Sequence, residues 1–272
     1  MGSLSSVQKS IKNYWPFLPL CLGVFIAADD QTVVVTLLPD MLIDLDVSVY
    51  DLDRGSWTIT GYLIGFTAAM PLVGRFSDRY GHRVVFVVAM IVFMLGSVLV
   101  AVSPEIPRIY GSLEPDLRWT IGTRIFQAIG GGAVIPIAIA SAGDLLPRYR
   151  HAIAFGLVGA SAEAGGMLGL LWGGLAVQYL SWEWAFWLNL PLGALVIVLI
   201  MATPKGVRRP VGIDLVAGGL FAATLTLLTT GLSYVGDRGT ESIVLLTCAA
   251  FTGLVLLIWI SRARAPLFPK SL

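Results

Sequence analysis

Apolar residues in this chain run in long blocks separated by short polar connections. Eight blocks are long enough to cross a bilayer as helices, each of which needs about 20 mainly apolar residues. They predict helices over 15–41, 56–74, 84–102, 119–141, 152–178, 184–202, 212–234 and 241–261. Strands are disfavoured because no ten-residue alternation appears, and lipid forces backbone groups to pair within their own segment. The expected fold is therefore an all-α integral membrane protein of eight transmembrane helices.

Charge sorts the two ends of these helices. With the amino terminus on the cytoplasmic side, one face receives Lys9, Lys12, Arg75, Arg79, Arg83, Arg148, Arg150, Lys205, Arg208, Arg209, Arg262, Arg264 and Lys270, thirteen of the eighteen Lys and Arg. The other face receives Arg54, Arg108, Arg118 and Arg238, and Arg124 is left inside the membrane. The positive-inside rule then predicts a multi-pass protein of the plasma (inner) membrane with both termini cytoplasmic. Composition agrees. The 272 residues are 56% hydrophobic and 13% charged, with a mean hydropathy of +0.82. A soluble core has no way to bury that much apolar surface, so lipid is the expected partner. A net charge of +1 argues against nucleic acid. Cys21 and Cys248 both sit in apolar runs, which leaves neither a disulfide framework nor a metal site expected.

The polar residues inside the membrane also divide the chain. Most lie in the first six helices. TPKGVRRPVGID (203–214) reads as a basic cytoplasmic linker, and the last two helices are plainer. The expected division is a six-helix bundle over 1–202, then the linker and two additional helices over 203–272.

Three ionisable residues fall at membrane depth. Asp30 lies about 15 residues into the first helix, ~22 Å from the cytoplasmic side at 1.5 Å per residue. Arg124 lies ~5 residues into a helix descending from the other side, ~8 Å below that face. In a core ~30 Å thick those depths coincide. Glu163, about 11 residues into the fifth helix, comes near mid-membrane. Each charge costs at least ~2.5–3.5 kcal/mol there, so each is expected to face a bundle interior with a partner or a wet cavity. They read as proton- or substrate-coupling residues, with Arg124 tuning the acids; the bland reading of Asp30 and Arg124 is an ion pair that staples two helices. Asp29 points about 100° away from Asp30 around the helix.

Small residues mark close packing. Gly165, Gly169 and Gly173 recur every fourth residue on the fifth helix, clearing a face for a neighbour's backbone or for a moving interface. Pro136 is expected to kink the fourth helix. Trp57, Tyr62, Gln127 and Trp172 are candidates to line a cavity. The aromatics of SWEWAFW (181–187) read mainly as an interfacial anchor.

Taken in order, these signals resemble the major facilitator superfamily, in its fourteen-helix drug:proton antiporter branch. The loop after the second helix of that branch carries G-x-L-a-D-R-x-G-R-R, matched here by Gly74, Asp78, Arg79, Gly81 and Arg83, with Phe76 and His82 departing. The first helix matches L-D-x-T-V-V-N-V-A-L-P through Asp30, Thr32, Val33, Val34 and Pro39, with Val35 in place of Asn. Arg124, Gln127 and Gly130 match R-x-x-Q-G-x-G, with Ala128 for the first Gly. The fifth-helix antiporter motif is met in its glycines, but Gly166 and Leu170 stand where Pro is expected. Asn189, Pro191 and Gly193 are similar to N-x-P-x-G.

The resemblance implies a proton-coupled transporter half, working by alternating access on multidrug or small lipophilic or cationic substrates, and no cofactor. It implies a cytoplasmic gate at Gly74, Asp78, Arg79, Gly81 and Arg83, bracing helices of two halves. This chain matches one half and the two extra helices, so a second half on a separate chain, a homodimer, or a fragment of a longer protein is expected. A non-transporting membrane scaffold is the alternative. An enzyme is not expected: His82 and His151 are the only two histidines, and no Ser-His-Asp set or phosphate-binding Gly loop with its Lys is present.

Overall fold

The computed structural model describes residues 15–47, 52–109, 116–203, 208, 212–236 and 238–262. Lys9, Lys12, Lys205, Arg209, Arg264, Lys270, most of the 203–214 linker and the 265–272 end lie outside the described residues. Eight long helices follow one another: α1 (Leu18–Asp44), α2 (Trp57–Tyr80), α3 (His82–Ala101), α4 (Leu117–Leu145), α5 (His151–Tyr179), α6 (Glu183–Met201), α7 (Leu215–Ser233) and α8 (Gly239–Arg262). All eight are long and apolar enough to cross a membrane. No strand occurs among the described residues.

Two boundaries have clear local causes. The Asp116 carboxylate accepts from the Arg118 backbone N–H at 2.9 Å and starts α4, and Asp214 accepts from Ala217 at 2.9 Å to start α7. The charged stretch after Val73 departs from expectation. Helix α2 continues through Arg75, Asp78 and Arg79 to Tyr80, and Gly81 alone turns the chain, at φ 95°. Gly74 sits inside the helix with open space where a Cβ would be, so it has no part in the turn. Long polar side chains at a helix end reach water without breaking the helix, which is why a polar run was no guide to its limit. Pro136 lies inside α4.

Glycine sets how the helices meet. A Cβ on Gly165 would strike the Phe25 carbonyl, one on Gly169 the Asp29 carbonyl, and one on Gly173 the Thr36 hydroxyl. The expected stripe therefore lies backbone-to-backbone on α1, the most extensive helix contact among the described residues. Thr32 reinforces it by donating to the Gly166 carbonyl at 2.8 Å. Helix α4 is wedged between α2 and α3 in the same manner: a Cβ on Gly132 would meet the Phe66 carbonyl, and one on Gly130 the backbone of Phe93. Helix α6 lies against α3 and α1. The α7–α8 hairpin touches the bundle through α2, where Leu72 packs on Gly218 beside Ala217 and Leu256.

Substituting Gly132→Ala should lower the unfolding temperature of the purified protein in detergent, at a cost of about 1–3 kcal/mol, since its methyl meets backbone. Gly122→Ala on the same helix, with no atom within 4 Å of its Cβ, should be neutral or stabilising. Equal melting of the two variants would contradict this packing.

Candidate functional site

Five helices send side chains to one buried point. Asp30 comes from α1, Arg124 and Gln127 from α4, Ser97 from α3, Asn189 from α6 and Tyr62 from α2; all six are buried. Arg124 and Gln127 stand three residues apart, on one face of α4. Arg124 Nη1 donates to Asp30 Oδ2 at 2.7 Å, with both side chains sealed from solvent, and also to Gln127 Oε1. Asp30 Oδ1 accepts from Gln127 Nε2 at 2.9 Å and from Asn189 Nδ2 at 2.7 Å. The same two amides donate to Ser97 Oγ at 2.8 and 3.2 Å, and that hydroxyl donates onward to the Phe93 carbonyl.

Aromatic faces complete the enclosure. The Arg124 guanidinium carbon sits 4.0 Å from the Tyr62 ring centre and 5.5 Å from that of Phe186. These faces stabilise a desolvated cation at positions where no hydrogen bond reaches it. Arg124 Nε has no hydrogen-bond partner among the described residues. A carboxylate and a guanidinium thus cancel in a low-dielectric setting, with both carboxylate oxygens satisfied. Breaking the pair would expose either member to the full penalty of an unpaired buried charge.

The structure brings together Asp30, Arg124, Gln127 and Tyr62 from the expected set, and leaves the others apart. Glu163 stands apart from them, exposed on α5. Two positions from Gly165 is about 200° around a helix, so the face that docks on α1 turns Glu163 outward. Tyr62 and Gln127 belong to the buried network. Trp57 lines a cavity at the bundle end, and Trp172 packs beside an apolar cluster with Val33, Phe186 and Trp182. Trp182 is a correction to the interfacial reading of SWEWAFW: it is buried and its indole donates to Asp44 at 2.7 Å, whereas Trp184 is exposed.

Ser97 and Asn189 are the site residues that the charge pattern missed. Each is a single polar residue in an otherwise apolar span, and that rarity was the available signal. At the other end of α2, Arg83 donates to the Thr203 carbonyl at 2.8 Å and joins α3 to the end of α6. His82 meets Asp144 at 3.1 Å, joining α3 to α4. Arg79 lies exposed, 5.6 Å from the Tyr80 ring centre, and Asp78 is half-buried.

Asp30→Asn and Arg124→Gln should each destabilise the protein by about 3–5 kcal/mol, and the double variant by clearly less than their sum. Thermal unfolding in detergent, followed by tryptophan fluorescence, reads both. Strict additivity would mean that the two groups do not act as a pair.

Comparison with known proteins now places this geometry. Residues 20–215 match the model of the Major Facilitator Superfamily. A triacylglyceride transporter of Mycobacteroides abscessus is 33% identical over 256 residues, covering 90% of this chain and 47% of the relative. A triacylglyceride transporter of Mycobacterium tuberculosis is 37% identical over 215 residues, covering 78% and 40%. The chain thus spans about half the length of the curated relatives it matches. These relatives are named as transporters and not as enzymes, and their names carry a lipid where the expected branch carries drugs and protons. Among solved structures, a proton:xylose symporter aligns with a TM-score of 0.63 at 14% identity, over 93% of this chain and 55% of that one. The human organic anion transporter MFSD10 aligns at 0.59 and 19% identity, over 79% and 55%. At such identities these two speak for the fold alone. With a family model spanning most of its length and a multi-pass helical bundle to match, the chain belongs to the Major Facilitator Superfamily.

Proposed function

We propose that this chain supplies the N-terminal six-helix unit, over 1–202, and two linking helices of a proton-coupled transporter that exports lipophilic molecules. The observation that carries the reading is the Asp30–Arg124 pair, buried and cross-bonded to α3 and α6. A buried ion pair is poor value as a staple, because well-packed apolar residues hold helices as firmly. It is well suited to a switch. A proton arriving at Asp30 would leave Arg124 as an uncompensated cation, and the bundle would favour any arrangement that gave Arg124 water or another acid. Proton binding and helix arrangement are then coupled.

Glu163 has a separate role in this reading. Its carboxylate stands on the outer face of α5 near the middle of the span, where it requires a wet cavity or a facing helix. Alternating access supplies both, since a second six-helix unit rocks against the first around a midplane site. That unit comes from a separate chain, from further sequence, or from a second copy. The stretch from Gly74 to Arg83 would brace the two units on the cytoplasmic side of the plasma membrane. For the cargo, the names of the relatives favour a neutral lipid ester over the drug-like cations that the motifs alone would favour.

Reconstitution into liposomes tests the reading, with the chain alone or together with a second six-helix unit and a pH dye trapped inside. A fluorescent triacylglycerol should drive proton movement, and Asp30→Asn or Glu163→Gln should reduce it at least about tenfold. Undiminished flux in Asp30→Asn would sink proton coupling at this site. Movement of a lipophilic cation in place of the lipid would overturn the choice of cargo, and no movement of either would favour a scaffold.

A further inference from the structure

Helix α1 carries a second acid that the buried network leaves out. Both carboxylate oxygens of Asp30 are satisfied, by Arg124, Gln127 and Asn189. Asp29, one residue earlier, is turned about 100° around the helix, toward α5. Its backbone carbonyl is what a Cβ on Gly169 would strike, and its side chain is half-buried beside that seam. No ion pair or hydrogen bond reaches the Asp29 carboxylate from the described residues. We propose that Asp29 is a second proton-binding acid, reached by protons from the outer side along a polar stripe on α1. Its part in transport rests on the proton-coupled reading above; its protonation does not.

Charge makes the first argument. A bare carboxylate at membrane depth needs a cation, water or a proton. Asp30, beside it in the chain, has the same sign. Of the elements packed on α1, α5 offers only another acid at this depth, Glu163. Helix α4 offers only Arg124, which Asp30 and Gln127 already engage. The charged residues of α2 and α6 lie near helix ends, at Arg75, Asp78, Arg79 and Glu183. A metal ion would need several oxygen ligands. No group of three His, Cys, Asp or Glu among the described residues could hold one. A proton needs the carboxylate alone.

The path makes the second argument. Asp29, Thr32, Thr36 and Asp40 follow one another at three, four and four residues, one line along a helix. All four are half-buried, whereas Val33, Val34 and Leu37 are sealed in the core and Val35 is 51% exposed. The line rises ~16 Å from Asp29 toward the end of the bundle opposite Gly81. Two carboxylates and two hydroxyls on one edge of a membrane span favour water over acyl chains. Thr32 donates to the Gly166 carbonyl and Thr36 to the Val33 carbonyl, so both hydroxyl oxygens keep lone pairs for water. Steps of ~4.5–6 Å along the line are spans that single waters bridge.

Dicyclohexylcarbodiimide, an apolar reagent for protonated carboxyl groups, tests the proton site on the full chain in detergent. Mass spectrometry near neutral pH should find an adduct on the α1 peptide that Asp29→Asn abolishes and Asp29→Glu restores. Asp29→Asn should also melt with the wild type, since an amide replaces a neutral acid, in contrast to Asp30→Asn. A charged, membrane-impermeant thiol reagent tests the path, in right-side-out vesicles and a Cys21→Ala/Cys248→Ala background. Thr36→Cys should react at least about tenfold faster than Val35→Cys, its exposed neighbour. No adduct at Asp29, or a melting loss in Asp29→Asn like that of Asp30→Asn, would overturn the proton site. Equal labelling of the two cysteines would overturn the path. Neither measurement needs cargo, so both are decided apart from the liposome assay. In that assay, an unchanged proton yield per lipid in Asp29→Asn would overturn the coupling role alone.

Discussion

The Arg124–Asp30 contact is 2.7 Å long and closed to solvent, and it dictates what the surrounding helices can be. In a low-dielectric interior each remaining donor and acceptor of that pair needs a fixed partner. Gln127 and Asn189 serve the carboxylate, Ser97 serves the two amides, and Tyr62 and Phe186 face the cation. Those partners come from separate helices, so the helices must approach closely. Gly96 allows it where the Gln127 backbone lies against α3, and Gly131 allows it beneath the Tyr62 hydroxyl. Polar demand and glycine placement are two sides of one constraint.

Helix α5 obeys a different logic. It carries no member of the buried network and is held to α1 through bare backbone, with Thr32 as a hydrogen-bonded rivet. Most of its remaining surface, Glu163 included, is exposed. Gly156, Gly159 and Gly174 have no atom within 4 Å of a Cβ position, so the outer side of α5 is as bare as the inner. One helix thus presents a finished interface and an open one.

The eight spans were readable because membrane burial leaves an unambiguous record in apolar length and charge bias. The meeting of Asp30 and Arg124 was readable too, since depth along two antiparallel helices is simple arithmetic. Rotation about a helix axis was not. Glu163 was expected inside because its depth is central, yet its direction depends on which face α5 gives to α1. Ser97 escaped notice because a hydroxyl in a helix can satisfy itself on its own backbone, as Ser97 also does with Phe93. Gly74 and Gly81 looked equivalent as letters, and only the positive φ of Gly81 separates them.

Gly81 has a mechanical consequence. Helices α2 and α3 are joined by that residue alone, which leaves no slack between two rods of about 30 Å or more. The first two residues past it are already committed, His82 to α4 through Asp144 and Arg83 to the end of α6 through Thr203. A tilt of α2 therefore reaches three other helices at their tips. The corner has the geometry of a crank: movement imposed at one rod would emerge as torque on the helices that carry Arg124 and Asn189.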